Sequence, residues 1–138
     1  MVKLRKIFAI GIFTVCFLAS SIISFASDNK VVAYYFHSNL RCPTCRAMEK
    51  YTKEAIEGNF KDDLASGRLV FKAINIDAKG NAHYINDYQL YTKSLVVSKV
   101  VDDKEVEYKN LAKIWEYARN KDKFLDYVTS EIKDYLKE

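Results

Sequence analysis

The feature that most limits what this chain can fold into is the apolar run Val31-Val32-Ala33-Tyr34-Tyr35-Phe36, followed closely by Arg41-Cys42-Pro43-Thr44-Cys45-Arg46. The run is continuous, β-branched and aromatic, and reads as a buried central strand. From Pro43 onward, Cys45, Met48, Glu49, Thr52, Ala55 and Ile56 follow helical spacing, so the cysteine pair opens a helix just after a strand. Cys42 then falls at or near the N-cap and Cys45 one turn inside, with both sulfurs on one side of the turn and close enough to bond. Pro43 takes the first helical position, where its missing N–H costs nothing and its fixed φ suits the helix.

Unpaired N–H groups, the positive end of the helix dipole and the flanking charges of Arg41 and Arg46 all favour a Cys42 anion over the neutral thiol. The thiolate is the form that attacks a disulfide. On this reading Cys42 is the exposed attacking sulfur, Cys45 the more covered resolving one, and Pro43 and Thr44 the spacer between them. His37 adds positive charge only when protonated; a neutral surface histidine is the commoner case. Two other readings of the pair stay open. One is a structural disulfide, although a loop closed over two residues constrains little of the unfolded chain. The other is half of a metal site, although zinc wants four ligands and the chain adds only His37 and His83 to the pair.

At 138 residues the chain allows one ordinary domain. Its start reads as a leader: Met1-Val2-Lys3-Leu4-Arg5-Lys6 is basic, Ile7 to Ile23 is almost wholly apolar, and Ser24-Phe25-Ala26 offers small residues where a signal peptidase reads. Cleavage is expected after Ala26, leaving residues 27–138 as the domain. The apolar run is long for a signal, so an uncleaved membrane anchor is the alternative. Cys16 sits inside that run without the small residue expected before a lipidated cysteine, and reads as a passive apolar residue. Loss of Lys3, Arg5 and Lys6, with no acid among residues 1–26, takes the formal charge from +4 to +1. That balance argues against nucleic acid as a partner. Only Cys42 and Cys45 remain, and a secreted domain stapled for stability usually carries more cysteines, so activity explains the pair better than rigidity. An extracytoplasmic location, periplasm or cell envelope, is expected. So is a partner that is itself exported and carries exchangeable thiols or a disulfide, with a membrane electron donor if the pair works as a reductant.

Further along, Leu69 to Asp77 alternates as a second strand. Asn81 is placed to cap a short helix over residues 82–88, Leu95 to Val101 is a third strand, and Asp102-Asp103-Lys104 turns into a hairpin partner at Glu105 to Tyr108. Leu111, Ile114, Trp115 and Ala118 form one apolar stripe. Phe124, Leu125, Val128, Ile132, Tyr135 and Leu136 form another, with a polar break at Arg119 to Asp122. The order is β-α-β-α-β-β-α: an α/β domain with a parallel first pair and helices on both faces of a mixed sheet. Its cysteines stand at the carboxyl end of a central strand, where open α/β sheets usually place chemistry. Tyr34, Tyr35, Tyr84, Tyr88 and Tyr91 either line a groove beside the cysteines or pack half-buried on the sheet, the second being the default.

The motif in this order of elements resembles the thioredoxin fold over nearly all of residues 30–138. More narrowly, Tyr34-Tyr35-Phe36-His37, the segment Arg41 to Arg46, Thr92-Lys93-Ser94-Leu95 and the Leu111 to Trp115 stretch resemble small exported thioredoxin-like proteins of the ArsF type, the nitrophenyl-compound nitroreductase subunits. The resemblance implies a nucleophilic Cys42 and a resolving Cys45, and the Pro-x dipeptide is like that of glutaredoxins; exchange between thiols and disulfides needs no dissociable cofactor or metal. Two departures stand out. Thioredoxins place a cis-proline before the third strand, whereas the single proline here is Pro43, so Lys93 or its neighbour takes that place with a trans bond. Lys93 either points at the sulfurs and favours the thiolate or is a solvated surface lysine. The buried acid of thioredoxins is replaced by Tyr35 or Phe36; Glu49, one turn past Cys45, is the candidate substitute, a solvent-facing helix acid being the commoner explanation. The expected activity is thiol–disulfide exchange. The rival is a copper or zinc carrier, or a non-catalytic subunit of an extracytoplasmic redox assembly, that uses Cys42, Cys45 and His37 as ligands.

Overall fold

The computed structural model describes residues 28–137, so the predicted leader, its cleavage point after Ala26 and Cys16 lie outside the described residues. Strand β1 (Asn29–His37) is the axis of a four-stranded sheet whose order is β2-β1-β3-β4. It runs parallel to β2 (Leu69–Asn75), with Val31 opposite Leu69 and His37 opposite Asn75. On its other side it pairs antiparallel with β3 (Ser94–Val101), Tyr35 facing Leu95 and Phe36 facing Ser94. The hairpin partner β4 (Lys104–Asn110) follows through Asp102 and Asp103, both at positive φ, the conformation a two-residue turn needs to match strand twist. This strand order, with only the first pair parallel, is that of the thioredoxin-like fold.

Period-two alternation divides the side chains between two layers. Val31, Ala33 and Tyr35 of β1, with Leu95 and Val97 of β3, face α1 (Pro43–Asn59) and α5 (Lys121–Lys137), burying Met48, Ala55, Ile56, Phe124, Val128 and Ile132. Met48, Ile56, Phe124, Val128 and Ile132, each taken fully out of water, contribute about 1.5–3 kcal/mol apiece. The short α2 (Lys61–Ser66) and α4 (Ile114–Tyr117) join the same side through Leu64 and Ile114. The opposite face carries Phe36 and Val96 under α3 (His83–Asp87), where Tyr34, Tyr84 and Tyr88 stack around Phe36 with ring centroids 5.2–5.7 Å from it. Helices therefore cover both faces, as the element order implies. Among the described residues no helix is long and apolar enough to cross a membrane.

Several local expectations change. Strand β2 ends at Asn75 rather than Asp77, because the Asn75 side-chain oxygen accepts from the Asp77 N–H and its carbonyl from the Ala78 N–H, turning the chain out of the ladder. Asn81 does not cap α3: the N-cap is Ala82, without a side-chain bond, and the Asn81 amide donates instead to the Asn75 carbonyl at 2.9 Å. A carbonyl at a strand end needs a partner as much as a helix N–H does, and here it holds the side chain. The stripe over Leu111 to Ala118 is helical only over α4. Leu111, Ile114 and Ala118 are buried as spaced, but Trp115 is largely at the surface.

Candidate functional site

Strand β1 ends at His37 and delivers the chain to a loop, Ser38 to Arg41, that leads directly into α1. Cys42 is the N-cap in extended conformation, Pro43 is the first helical residue, and the Cys42 sulfur accepts the Cys45 N–H at 3.1 Å. That bond satisfies one of the N–H groups a helix start leaves without an intrahelical partner. The two sulfurs are joined as a disulfide, with Cα atoms 5.1 Å apart. Cys42 is exposed, as are Pro43, Thr44 and Arg46, whereas Cys45 is 1% exposed beneath them. An incoming group can therefore reach the first sulfur and not the second.

Behind the pair lies Tyr35, fully buried, whose phenol O–H donates to the Cys45 carbonyl at 2.6 Å. Burial pushes that phenol up to about 12, with nearby Arg41 drawing it partly back. Of the two residues expected in the place of a buried acid, Tyr35 thus faces the cysteines and Phe36 points to the other layer. Sequence reasoning placed Tyr35 there but not its hydrogen bond. The usable signal was alternation along β1, which puts Tyr35 on the face α1 covers.

Arg41 and Glu49 correct two further expectations. Glu49 does not face solvent: its side chain is 12% exposed and ion-paired with both Arg41 and Lys53, the latter at 3.0 Å. The charge of Arg41 is therefore largely committed to Glu49 rather than free to favour a Cys42 anion, which leaves Arg46 as the flanking cation without an ion pair among the described residues.

Lys93 precedes β3 by one residue, half-buried, and its carbonyl accepts the Trp115 indole N–H at 2.9 Å. All peptide bonds among the described residues are trans. The tyrosines do not form a groove beside the cysteines. Tyr34, Tyr84 and Tyr88 cluster on the far layer, Tyr35 is inside the near one, and Tyr91 is 95% exposed in the loop before β3. His37 sits with its Nδ1 3.1 Å from the Ser38 carbonyl, and His83 pairs with Asp87 on α3. Among the described residues no three His, Cys, Asp or Glu side chains gather as a metal would need.

No family model matches the chain. A search of curated proteins likewise finds no match. Among solved structures, a malarial protein is similar at 12% identity with a TM-score of 0.40, over 59% of this chain and 80% of its own. A thioredoxin from Thermus thermophilus in solution is similar at 20% identity with a TM-score of 0.39, over 65% of this chain and 72% of its own. At these scores the fold assignment rests on the order and orientation of the strands themselves, with a Cys-x-x-Cys disulfide at the end of the central one.

Proposed function

We propose that the chain is a thiol–disulfide oxidoreductase acting on partner proteins through Cys42 and Cys45. The observation that carries this reading is the asymmetry of the pair: an exposed N-cap sulfur bonded to a buried one a single helical turn inside. In the oxidised form, a partner thiolate attacks the Cys42 sulfur, the bond to Cys45 breaks, and Cys45 leaves as a thiolate that takes up a proton. The partner's second thiolate then attacks its own sulfur in the mixed disulfide and displaces Cys42. Two electrons have passed to the chain, and the partner carries a new disulfide. Run backwards, the same steps reduce a partner. Helix N–H groups, the dipole and Arg46 favour Cys42 as both leaving and attacking thiolate.

The basic, apolar start of the chain supports work outside the cytoplasm, with an exported protein as partner and a membrane donor in the reducing direction. The ArsF-type resemblance of the quoted segments supports a place in an extracytoplasmic redox assembly.

Equilibration with glutathione should give one two-electron potential, and insulin reduction should disappear in Cys42→Ser. Cys45→Ser, expressed in the native host, should retain partners covalently on Cys42. A potential below about −300 mV with no turnover would mark an inert structural disulfide and end the proposal.

A further inference from the structure

Helix α1 wears its charges backwards. Its first turn has no acid and its last no base: Arg46 stands in the first turn and Glu57 in the last, with Lys50 and Glu54 between them around the middle. The equally long α5 follows the usual rule, with Asp122 in the first turn and Lys137 in the last. Arg46 and Lys50 also stand one turn apart, a like-charge pair that weakens a helix. Neither makes an ion pair among the described residues, and both line an open groove with Arg41, Glu49 and Lys53, all charged side chains on or just before the helix that carries the disulfide. In a domain of net charge +1 this is a local accumulation, not a general one.

Folding does not call for this arrangement, and thiolate stabilisation accounts for only half of it. Arg46 adjoins the cysteines, but Lys50 lies eight residues beyond Cys42, about 12 Å along the axis. That is past the screening length of about 8–10 Å in physiological salt. Resting on the exchange reading above, we infer that the groove along the first half of α1 receives an acidic segment of the partner polypeptide, next to the cysteine that reacts with Cys42. Arg46 and Lys50 lie about 6 and 12 Å along the axis from Cys42, and an extended chain advances about 3.3 Å per residue, which puts the acidic side chains about two to four positions from that cysteine.

The test uses the oxidised full chain and two synthetic nonapeptides with one central cysteine, flanked at those positions by glutamates or by lysines. Rates of attack on the Cys42–Cys45 disulfide are divided by each peptide's rate with 2-hydroxyethyl disulfide, which removes differences in thiol acidity. At low salt the glutamate peptide should react about tenfold faster than the lysine peptide, with the gap closing at high salt. Arg46→Glu/Lys50→Glu should reverse the preference when its rates are scaled to its own reaction with dithiothreitol. Equal normalised rates at low salt, with dithiothreitol still reacting, overturn the inference alone. No reaction with either peptide or with dithiothreitol overturns the exchange reading and this inference with it. If the double variant loses binding to anionic phospholipid vesicles while its peptide preference is unchanged, the groove belongs to a lipid surface and the inference falls.

Discussion

The phenol of Tyr35 donates to the carbonyl of Cys45 across 2.6 Å of fully buried space, tying the central strand to the first turn of the helix that holds the disulfide. A buried hydrogen bond of this kind nets about 0.5–1.5 kcal/mol, and its loss leaves an acceptor without that partner. Tyr35→Phe keeps the ring and removes only the donor. It should lower unfolding stability in urea by about 1 kcal/mol with an unchanged m-value; an unchanged midpoint would show that the bond contributes nothing.

The same phenol makes the fold sensitive to alkali. Tyr35 and Tyr127 are both raised to about 12, and Tyr88 is raised further, in each case chiefly by burial, with the Glu105 carboxylate bonded to the Tyr88 phenol adding to that shift. A raised folded-state value means that the unfolded chain loses these protons first, from about pH 10. These phenols should therefore leave stability unchanged from about pH 8 to 10 and lower it above about pH 10, at up to about 1.4 kcal/mol per pH unit for the fully buried Tyr35 and less for the half-buried Tyr127. Urea midpoints measured from pH 8 to 12 check this, and Tyr35→Phe should make the fall shallower.

Glu49 holds Arg41 and Lys53, and its removal should move two properties in opposite directions. In Glu49→Gln a negative charge one turn from Cys45 disappears and Arg41 is released, so the Cys42 thiol of the reduced protein should become more acidic than in the parent. The half-buried Arg41 loses its counter-ion, so the fold should weaken by about 1–2 kcal/mol. Thiolate absorbance against pH reads the first effect and thermal unfolding the second. A less acidic thiol would mean that Glu49 takes part in proton transfer rather than in holding Arg41.

Trp115 fastens the loop before β3 by donating its indole N–H to the Lys93 carbonyl. Trp115→Phe should cost about 1 kcal/mol and raise the KM for a protein disulfide more than it changes kcat, because Tyr91, Thr92 and Lys93 line a cavity with His37 and Ser38 at the end of β1. An equal fall in kcat and kcat/KM would instead place the effect on the chemical step.

Much of this was legible beforehand because its causes are local. A β-branched and aromatic run ending just before Cys-Pro-x-Cys leaves few conformations other than strand, loop and helix start. The hairpin at Asp102-Asp103 announced itself in the same way, and the apolar spacing of α1 and α5 named their buried faces. Asn81 shows the limit. It has the chemistry of a cap, but a carbonyl six residues back competed for its amide, and no rule of neighbouring residues reveals which wins. Arg41 shows it again, since its charge looked available until Glu49 came beside it.

What the residue order determined by itself is the disulfide's setting, an accessible sulfur at a helix start with a covered one a turn later, because capping, proline at the first position and helical periodicity act within a few residues. What only the tertiary structure decided is which distant groups meet that turn: Tyr35 beneath the Cys45 carbonyl, Trp115 against Lys93, and the tyrosines parted between two layers. Those contacts depend on strand register and on how helices settle over the sheet, and both are set by burial summed over the whole domain rather than by any single stretch.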